Sequence, residues 1–310
     1  MITRLHSALA RLVLVAFCAT AAAVQVQAQA PGVPVYKSRE ADKAVSDAAV
    51  KLREAGKLVP DSVLTNQLGR RTCSIELPAP KRRSMDGRDL WAAARAAHLR
   101  LGWHYLCSKC DQWHINLAGG YAVTENGVVA TCRHVVEKPE NFKEGFLVAA
   151  DDTDRVFAVT EILASNAFSD VCLVKLDAKG LKPLSLNTEV GPGDRAYCFS
   201  WPLGQRGYFS EGMVNRFISR TQRRAGEITT RINVSTDWAP GSSGSAILDQ
   251  RGNAIGHVVS ISPMTGGPRS PKGGGEKRQS DGPQITLHEA ASAADVLKLV
   301  EPTSRPSKRK

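Results

Sequence analysis

One serine in this chain is well placed to act as a nucleophile. Ser243 lies in PGSSGS (240–245), between two glycines. Glycine permits the tight turn in which the N–H groups of Gly241 and Ser243 point toward one oxygen atom. An apolar run (246–248) and a Gly-Asn turn (252–253) follow, which predicts a β-hairpin rather than a flexible linker. We therefore expect Ser243 to be an acyl-transfer nucleophile, with Gly241 and Ser243 forming its oxyanion hole.

A serine nucleophile needs a base to take its proton and a carboxylate to orient that base. His134 follows the apolar run VVAT (128–131), and Asp170 opens the apolar run DVCLVKL (170–176). A carboxylate that enters a core needs a polar partner, and an imidazole N–H would satisfy it. Only His134 sits in a sequence pattern that is matched by a suitable aspartate and serine downstream. The competing histidines are His98, His104, His114, His257 and His288.

The elements that must position these residues read as β-strands. From about His98 to Ile261, short runs of β-branched and aromatic residues alternate with Asn-Gly, Gly-Pro-Gly and Gly-Asn turns. The clearest hairpin joins YAVT (121–124) to VVAT (128–131) through Glu-Asn-Gly. Repeated strands of this kind predict an all-β barrel or sandwich.

The flanking segments have a different composition. We predict a signal peptide (1–30), an N-terminal extension (31–83), the main domain (84–300) and a disordered basic tail (301–310). Within these parts the predicted elements are a helix at Ser38–Ala55, a short strand-like run at Thr72–Leu77, a helix at Asp86–Ala97, a Gly/Pro/Lys-rich loop at Pro263–Pro283, a last strand at Ile285–Leu287 and a closing helix at Ala291–Val300.

The first thirty residues have the pattern of an export signal. Arg4 and Arg11 precede an apolar core (12–24), and Ala28-Gln29-Ala30 is a cleavage motif. The alternative is an uncleaved anchor, but the core is short. We expect a periplasmic or secreted protein without stable membrane insertion after cleavage. Losing the two arginines lowers the net charge from +11 to +9, which favours acidic surfaces or polyanions but no specific nucleic acid.

Six cysteines remain after the signal, and an exported chain permits disulfides. Cys107 and Cys110, with His114 and His104 nearby, fit a disulfide, a zinc site or a thiol-exchange pair. The missing second ligand pair favours the disulfide, so we predict no metal and no cofactor. Cys132 and Cys172 lie two residues from His134 and Asp170, so a pairing of those two residues would also allow a second disulfide.

These segments together resemble the trypsin-like serine peptidases, and among them the bacterial Deg/HtrA-type protease domain. The resemblance is carried by AGGYAV (118–123), TCRHVV (131–136), DVCLVK (170–175), SWPLG (200–204) with EGMV (211–214), and PGSSGS (240–245). It implies two six-stranded antiparallel β-barrels, with His134 and Asp170 from the first and Ser243 from the second. It also implies endopeptidase activity on a protein or peptide substrate through an acyl-enzyme.

The departures from the family narrow this expectation. Ser242 stands where digestive trypsins carry an aspartate, so activation through a new N-terminus is not expected. Few residues follow Ile261, so no PDZ domain is expected. Asp237, six residues before Ser243, matches the acid of a trypsin specificity pocket, although a plain turn also explains it. His257 is one residue out of register for the glutamate-binding histidine of glutamyl endopeptidases. The alternative function is an inactive trypsin-fold protein that binds a polyanion or cell-wall polymer.

Overall fold

The chain forms two closed six-stranded antiparallel barrels. A computed structural model describes residues 34–36, 38–222, 226–264 and 285–301. The first barrel, called barrel A, contains β1 His98–Cys107, β2 Trp113–Ala122, β3 Val128–Thr131, β4 Phe142–Ala150, β5 Val156–Asn166 and β6 Val171–Leu176. The second, barrel B, contains β7 Arg195–Ser200, β8 Tyr208–Gln222, β9 Glu227–Val234, β10 Ala246–Leu248, β11 Ala254–Met264 and β12 Ile285–Ser292. The predicted fold class is confirmed.

Each barrel has its own apolar core, and a third core lies where the two barrels meet. Leu101 and Ile162 are buried inside barrel A, and Ile232 and Ile247 inside barrel B. The shared core contains side chains from both barrels, among them Tyr121, Leu173, Tyr197, Phe199 and Leu248. Because this shared core fixes one barrel against the other, residues at the ends of their strands can form a common site.

The predicted helices in the first half of the chain are present. Helix α1, Ser38–Glu54, ends at Gly56, whose φ of +65° is the left-handed conformation that glycine adopts most readily. A short helix α2 follows at Asp61–Thr65. Helix α3, Gly87–Ala97, is capped by Asp86, whose side chain accepts the Asp89 N–H at 2.8 Å. The predicted hairpin is also present, with Tyr121 opposite Ala130.

The extension packs on barrel A rather than forming a core of its own. Ala49 and Leu58 are buried against Val148 and Ala158 of β4 and β5. Arg100 of β1 forms an ion pair with Asp42 of α1. The described part of this segment is therefore held to barrel A by apolar contacts and an ion pair.

Two predicted elements are wrong, the first in kind and the second in extent. Thr72–Leu77 is not a strand: Cys73 makes a single parallel bridge to Val300, with its N–H 2.8 Å from Leu299 O. The chain pairs there with only a few residues, so no ladder forms. The closing helix, α4, spans only Ala293–Leu297, because β12 continues through Ser292. Pairing of β12 with β9 and β11 overrides the helix propensity of its alanines.

Several predictions fall outside the described residues. These are the signal peptide, nearly all of the tail, and the Gly/Pro/Lys-rich loop apart from Pro263 and Met264, which end β11. Within the described part of the chain, no helix combines the length and the hydrophobicity that a membrane crossing requires.

Candidate active site

His134 and Asp170 form a two-point hydrogen-bonded pair at one end of barrel A. His134 begins the 3₁₀ turn His134–Val136 just after β3, and Asp170 directly precedes β6. Strands β3 and β6 are neighbours, with Thr131 opposite Cys172. The His134 backbone N–H donates to Asp170 Oδ1 at 3.0 Å, and His134 Nδ1 lies 2.8 Å from Oδ2. With Nδ1 protonated, the neutral ring presents Nε2 as a base.

The loop that carries Asp170 is held by barrel B. Asp170 has a φ of +56°, an unfavourable conformation for a residue with a side chain. The Arg231 guanidinium on β9 donates to Ser169 O at 2.6 Å, and His257 Nε2 on β11 lies 3.2 Å from Asp170 O. Burial lowers the pKa of His257 to about 4, so its ring is neutral and donates Nε2–H to that carbonyl. Contacts between the barrels therefore offset the cost of this backbone conformation.

The pair shifts both pKa values toward the charged forms. The hydrogen bond with Asp170 raises the pKa of His134 above its ordinary value, against the opposing effect of burial. Burial raises the pKa of Asp170, but the hydrogen bonds and charge of His134 outweigh it, so the net pKa is lowered. The carboxylate is therefore ionised at neutral pH and stabilises a protonated His134 ring.

Ser243 lies in a turn whose shape depends on glycine. Gly241 has a φ of +98° and Gly244 a φ of +82°. A Cβ added to Gly244 would stand 2.2 Å from Gly119 O and 2.4 Å from Thr131 Oγ1, so no other residue fits. Ser243 is partly exposed, whereas the neighbouring Ser242 and Ser245 are buried.

Hydrogen bonds dock this turn of barrel B on the end of barrel A that carries His134. Gly119 N–H donates to Ser243 O at 2.6 Å, and Thr131 Oγ donates to Gly119 O at 2.7 Å. Val258 O accepts the Gly244 N–H at 2.8 Å. The same oxygen accepts the thiol of Cys132, two residues before His134, at 3.0 Å. The serine turn and the histidine turn thus share one network.

The structure brings the predicted residues together, but it does not join all of them by hydrogen bonds. Among the described residues, no hydrogen bond links Ser243 Oγ to His134, a contact that often tightens only when substrate binds. Over the same part of the chain, the N–H groups of Gly241 and Ser243 donate to no protein acceptor. Both therefore remain available to an oxyanion.

Asp237, the predicted specificity residue, is exposed on the segment that leads to the serine turn. Its N–H donates to Ser210 Oγ at 3.1 Å, and the Tyr208 hydroxyl lies 3.5 Å from its Oδ2. Trp238, the next residue, is buried in the core of barrel B. This geometry leaves the Asp237 carboxylate largely unpaired, and its pocket role stays a prediction.

The six cysteines after the predicted signal are free thiols in this structure. Neither the expected disulfide between Cys107 and Cys110 nor the further pairing of Cys132 with Cys172 is therefore present. Burial raises the pKa of Cys132 well above its ordinary value and that of Cys172 to about 12, so both remain protonated inside barrel A. By contrast, the backbone N–H groups of Lys109 and Cys110 lower the pKa of Cys107.

Sequence reasoning missed the residues that support the pair. From the sequence, His257 invites only a comparison with a specificity residue, and Arg231 has no assigned role. In the structure, His257 Nε2 lies 3.2 Å from Asp170 O, and Arg231 donates to Ser169 O. His98, a rejected base candidate, is buried and its Nε2 lies 3.3 Å from Ser245 Oγ. No sequence signal marks these contacts, because they join segments far apart in the chain.

Part of the chain is similar to a known family of peptidases. Residues 118–256, which include His134, Asp170 and Ser243, match the trypsin-like peptidase domain family. The segments quoted above resemble the Deg/HtrA-type domain, and the similarity to known proteins confirms this.

The relatives are serine proteases of bacteria. The putative serine protease HhoB of Synechocystis sp. is 26% identical over 147 residues, 46% of this chain and 34% of the relative. The probable periplasmic serine endoprotease DegP-like of Halomonas elongata is 28% identical over 156 residues, 49% of this chain and 31% of the relative. The chain thus spans about a third of the length of these relatives. The solved serine endoprotease of Yersinia pestis aligns with a TM-score of 0.47 at 17% identity, over 70% of this chain and 66% of that one.

Proposed function

We propose that this chain is an exported endopeptidase that hydrolyses peptide bonds through His134, Asp170 and Ser243. His134 Nε2 takes the proton of Ser243 as Oγ attacks the scissile carbonyl. Asp170 keeps the ring in the tautomer with Nδ1 protonated and stabilises the imidazolium that forms. His134 then gives its proton to the leaving amine, which releases the first product and leaves an acyl-enzyme.

Water completes the cycle by the same route. His134 deprotonates a water molecule, which attacks the acyl carbon, and the proton returns to Ser243 Oγ when the ester breaks. In both halves the oxyanion is bound by the N–H groups of Gly241 and Ser243. Their freedom from protein acceptors in the described residues supports this role.

The observation that carries the proposal is the two-point pair between His134 and Asp170, at 3.0 and 2.8 Å, beside a docked Ser243 turn. A histidine held in this way has one ring nitrogen fixed and the other free to act as a base.

The test is hydrolysis of a peptide library by the wild type and two serine variants. Ser243→Ala is expected to lower kcat by roughly 10⁴-fold or more. Ser245→Ala is the matched control, because its hydroxyl is buried against His98 and is not available to a substrate. Turnover that survives Ser243→Ala would overturn the proposal. A folded but inactive wild type that binds an anionic polymer in a salt-sensitive manner would favour the binding-protein alternative.

Substrate choice is proposed from Asp237. Its exposed carboxylate, six residues before the nucleophile, would pair with a lysine or arginine before the scissile bond. The same library, cleaved by Asp237→Asn, is expected to lose at least tenfold in kcat/KM at basic residues only. An unchanged cleavage profile would remove Asp237 from the substrate-binding residues.

We also propose export to the periplasm or the medium, and the division of the chain into 1–30, 31–83, 84–300 and 301–310. The pattern of the first thirty residues supports export, as do relatives whose names describe periplasmic endoproteases. The test is the N-terminus of the protein recovered outside the cytoplasm, where we expect cleavage close to Ala30. A full-length N-terminus on cytoplasmic protein would contradict export.

A further inference from the structure

The tip of the hairpin formed by β1 and β2 carries three metal-binding side chains. Cys107 ends β1, Cys110 lies in the turn, and His114 is the second residue of β2. The two sulfur atoms and a ring nitrogen of His114 all lie within 4.8 Å of one another. Cys110 Sγ and His114 Nε2 are 3.1 Å apart. One short segment therefore supplies two soft sulfur ligands and one nitrogen ligand.

The backbone of this turn is shaped to support a thiolate. Lys109 N–H points at Cys107 Sγ, with 3.4 Å between nitrogen and sulfur. Cys107 N–H donates to Gln112 O at 3.0 Å, and Asp111 N–H donates to Cys107 O at 3.0 Å. An N–H group aimed at sulfur stabilises the deprotonated form, which is the form that binds metals. The Cys107 sulfur is thus positioned before any ion binds.

The third ligand is held by strand pairing. His114 lies opposite Tyr105 across the hairpin, and their ring centroids are 5.7 Å apart. The turn is also tied to the chain before β4, because Ser108 N–H donates to Asn141 O at 2.7 Å. Strand pairing therefore fixes the face of the hairpin on which the imidazole lies. On that face the ring is exposed and contacts Cys110.

We propose that Cys107, Cys110 and His114 bind a zinc ion. Two thiolates and a neutral imidazole balance the double positive charge, and the two thiol protons are released to solvent. In a tetrahedral centre the sulfur and nitrogen ligands are about 3.5 Å apart, so the observed 3.1 Å needs only a small outward movement. Water completes the coordination as a fourth ligand.

This zinc site is separate from the peptidase site. Gly119, the residue that contacts Ser243, lies five positions after His114 on β2, which is about 16 Å along a strand. The ion would fasten the tip of the hairpin and take no part in peptide hydrolysis.

The test measures zinc in the intact protein, purified under reducing and metal-free conditions and then exposed to zinc. We expect one zinc per chain in the wild type and less than a tenth of that in Cys110→Ser and in His114→Ala. Cys73→Ser and His288→Ala are matched controls outside the hairpin and should keep the ion. Cobalt in place of zinc should give the intense visible bands of a tetrahedral thiolate site, and these should disappear in the same two variants.

Three results would overturn the proposal. The first is a folded, reduced protein that retains no zinc, and the second is equal zinc content in the hairpin variants and the controls. The third is a Cys107–Cys110 disulfide in protein taken directly from cells, found by mass spectrometry together with no bound zinc. These measurements do not depend on peptidase activity. The inactive variant Ser243→Ala should therefore bind as much zinc as the wild type.

Discussion

The two barrels contribute to the proposed active site in different ways. Barrel A supplies ionisable side chains, His134 and Asp170, whose roles depend on hydrogen bonds and charge. Barrel B supplies a turn whose role depends on backbone shape, set by Gly241 and Gly244. A change of charge should therefore damage the contribution of barrel A without unfolding it. Adding a side-chain atom to the glycine turn should lower both the activity and the stability of the protein, because the turn has no room for it.

The largest expected effect concerns barrel A and tests the charge argument. Asp170→Asn keeps the size of the side chain but can donate a hydrogen bond to the ring, which favours the wrong tautomer of His134. We expect kcat to fall by about 10⁴-fold while the thermal unfolding midpoint changes little. Peptide hydrolysis and circular dichroism measure the two quantities. An activity loss below tenfold would mean that Asp170 does not orient the base.

The matching change in barrel B is Gly244→Ala. The new Cβ would overlap Gly119 O and Thr131 Oγ1 at a backbone φ of +82°. We expect a loss of about 3 kcal/mol or more in the free energy of unfolding, together with loss of activity. Gly191→Ala is the control, because its Cβ meets no atom within 4 Å and its φ is not positive. Equal stability of the two variants in denaturant titrations would refute the steric account.

Cys132 tests the junction of the two barrels. Its buried thiol donates to Val258 O at 3.0 Å, the oxygen that also accepts the Gly244 N–H. Cys132→Ala should cost about 1 kcal/mol in the free energy of unfolding, because one hydrogen bond and one sulfur atom are lost. The zinc content should not change, since this thiol is not part of the hairpin site. A lower zinc content would contradict the conclusion that Cys132 is independent of the zinc site at Cys107 and Cys110.

The smallest expected effect is a shift in the pH dependence of activity, which is set mainly by Asp170 and Glu137 of barrel A, against an opposing effect of Arg231 of barrel B. The base must be neutral, so activity should rise with pH as His134 loses its proton, with a midpoint above the ordinary histidine value of 6.5. Glu137→Gln removes a negative charge that raises this pKa, so the acid limb of kcat/KM should move to lower pH. An acid limb that moves upward, or does not move, would contradict the electrostatic assignment.

The contribution of His134 to folding stability should fall as pH rises, whereas activity should rise. A raised pKa in the folded protein stabilises the fold fully below the unfolded value and loses this contribution as pH rises through the folded value. His134 therefore contributes to stability most at acidic pH, where it cannot act as a base. We expect the thermal midpoint of Asp170→Asn to differ from the wild type more below pH 6.5 than well above it.

The parts of the site that depend on residue type were predictable from the sequence. His134, Asp170 and Ser243 each carry a distinctive chemistry, and their order along the chain limits the choice. The support from Arg231 and His257 was not predictable, because those residues contact the Asp170 loop from strands 61 and 87 positions away. The alternation of residues along a strand predicts which face a side chain lies on, but it does not predict which distant loop that side chain contacts.

The elements of the fold that depend on nearby residues were predictable from the sequence, whereas those that depend on long-range strand pairing were not. Local signals predicted helix α3 and the hairpin of β2 and β3, because helix-forming and turn residues act within a few positions. The end of β12 was not predictable, since Ala290 and Ala291 favour a helix until pairing with β9 and β11 decides otherwise.

The most direct measurement is the attachment site of a fluorophosphonate probe on the folded protein, mapped by mass spectrometry. The account predicts an adduct on Ser243, much slower labelling of His134→Ala, and none of Ser243→Ala. The buried Ser242 and Ser245 should stay unmodified. An adduct on another serine, or a folded wild type that never reacts, would contradict a catalytic role for Ser243.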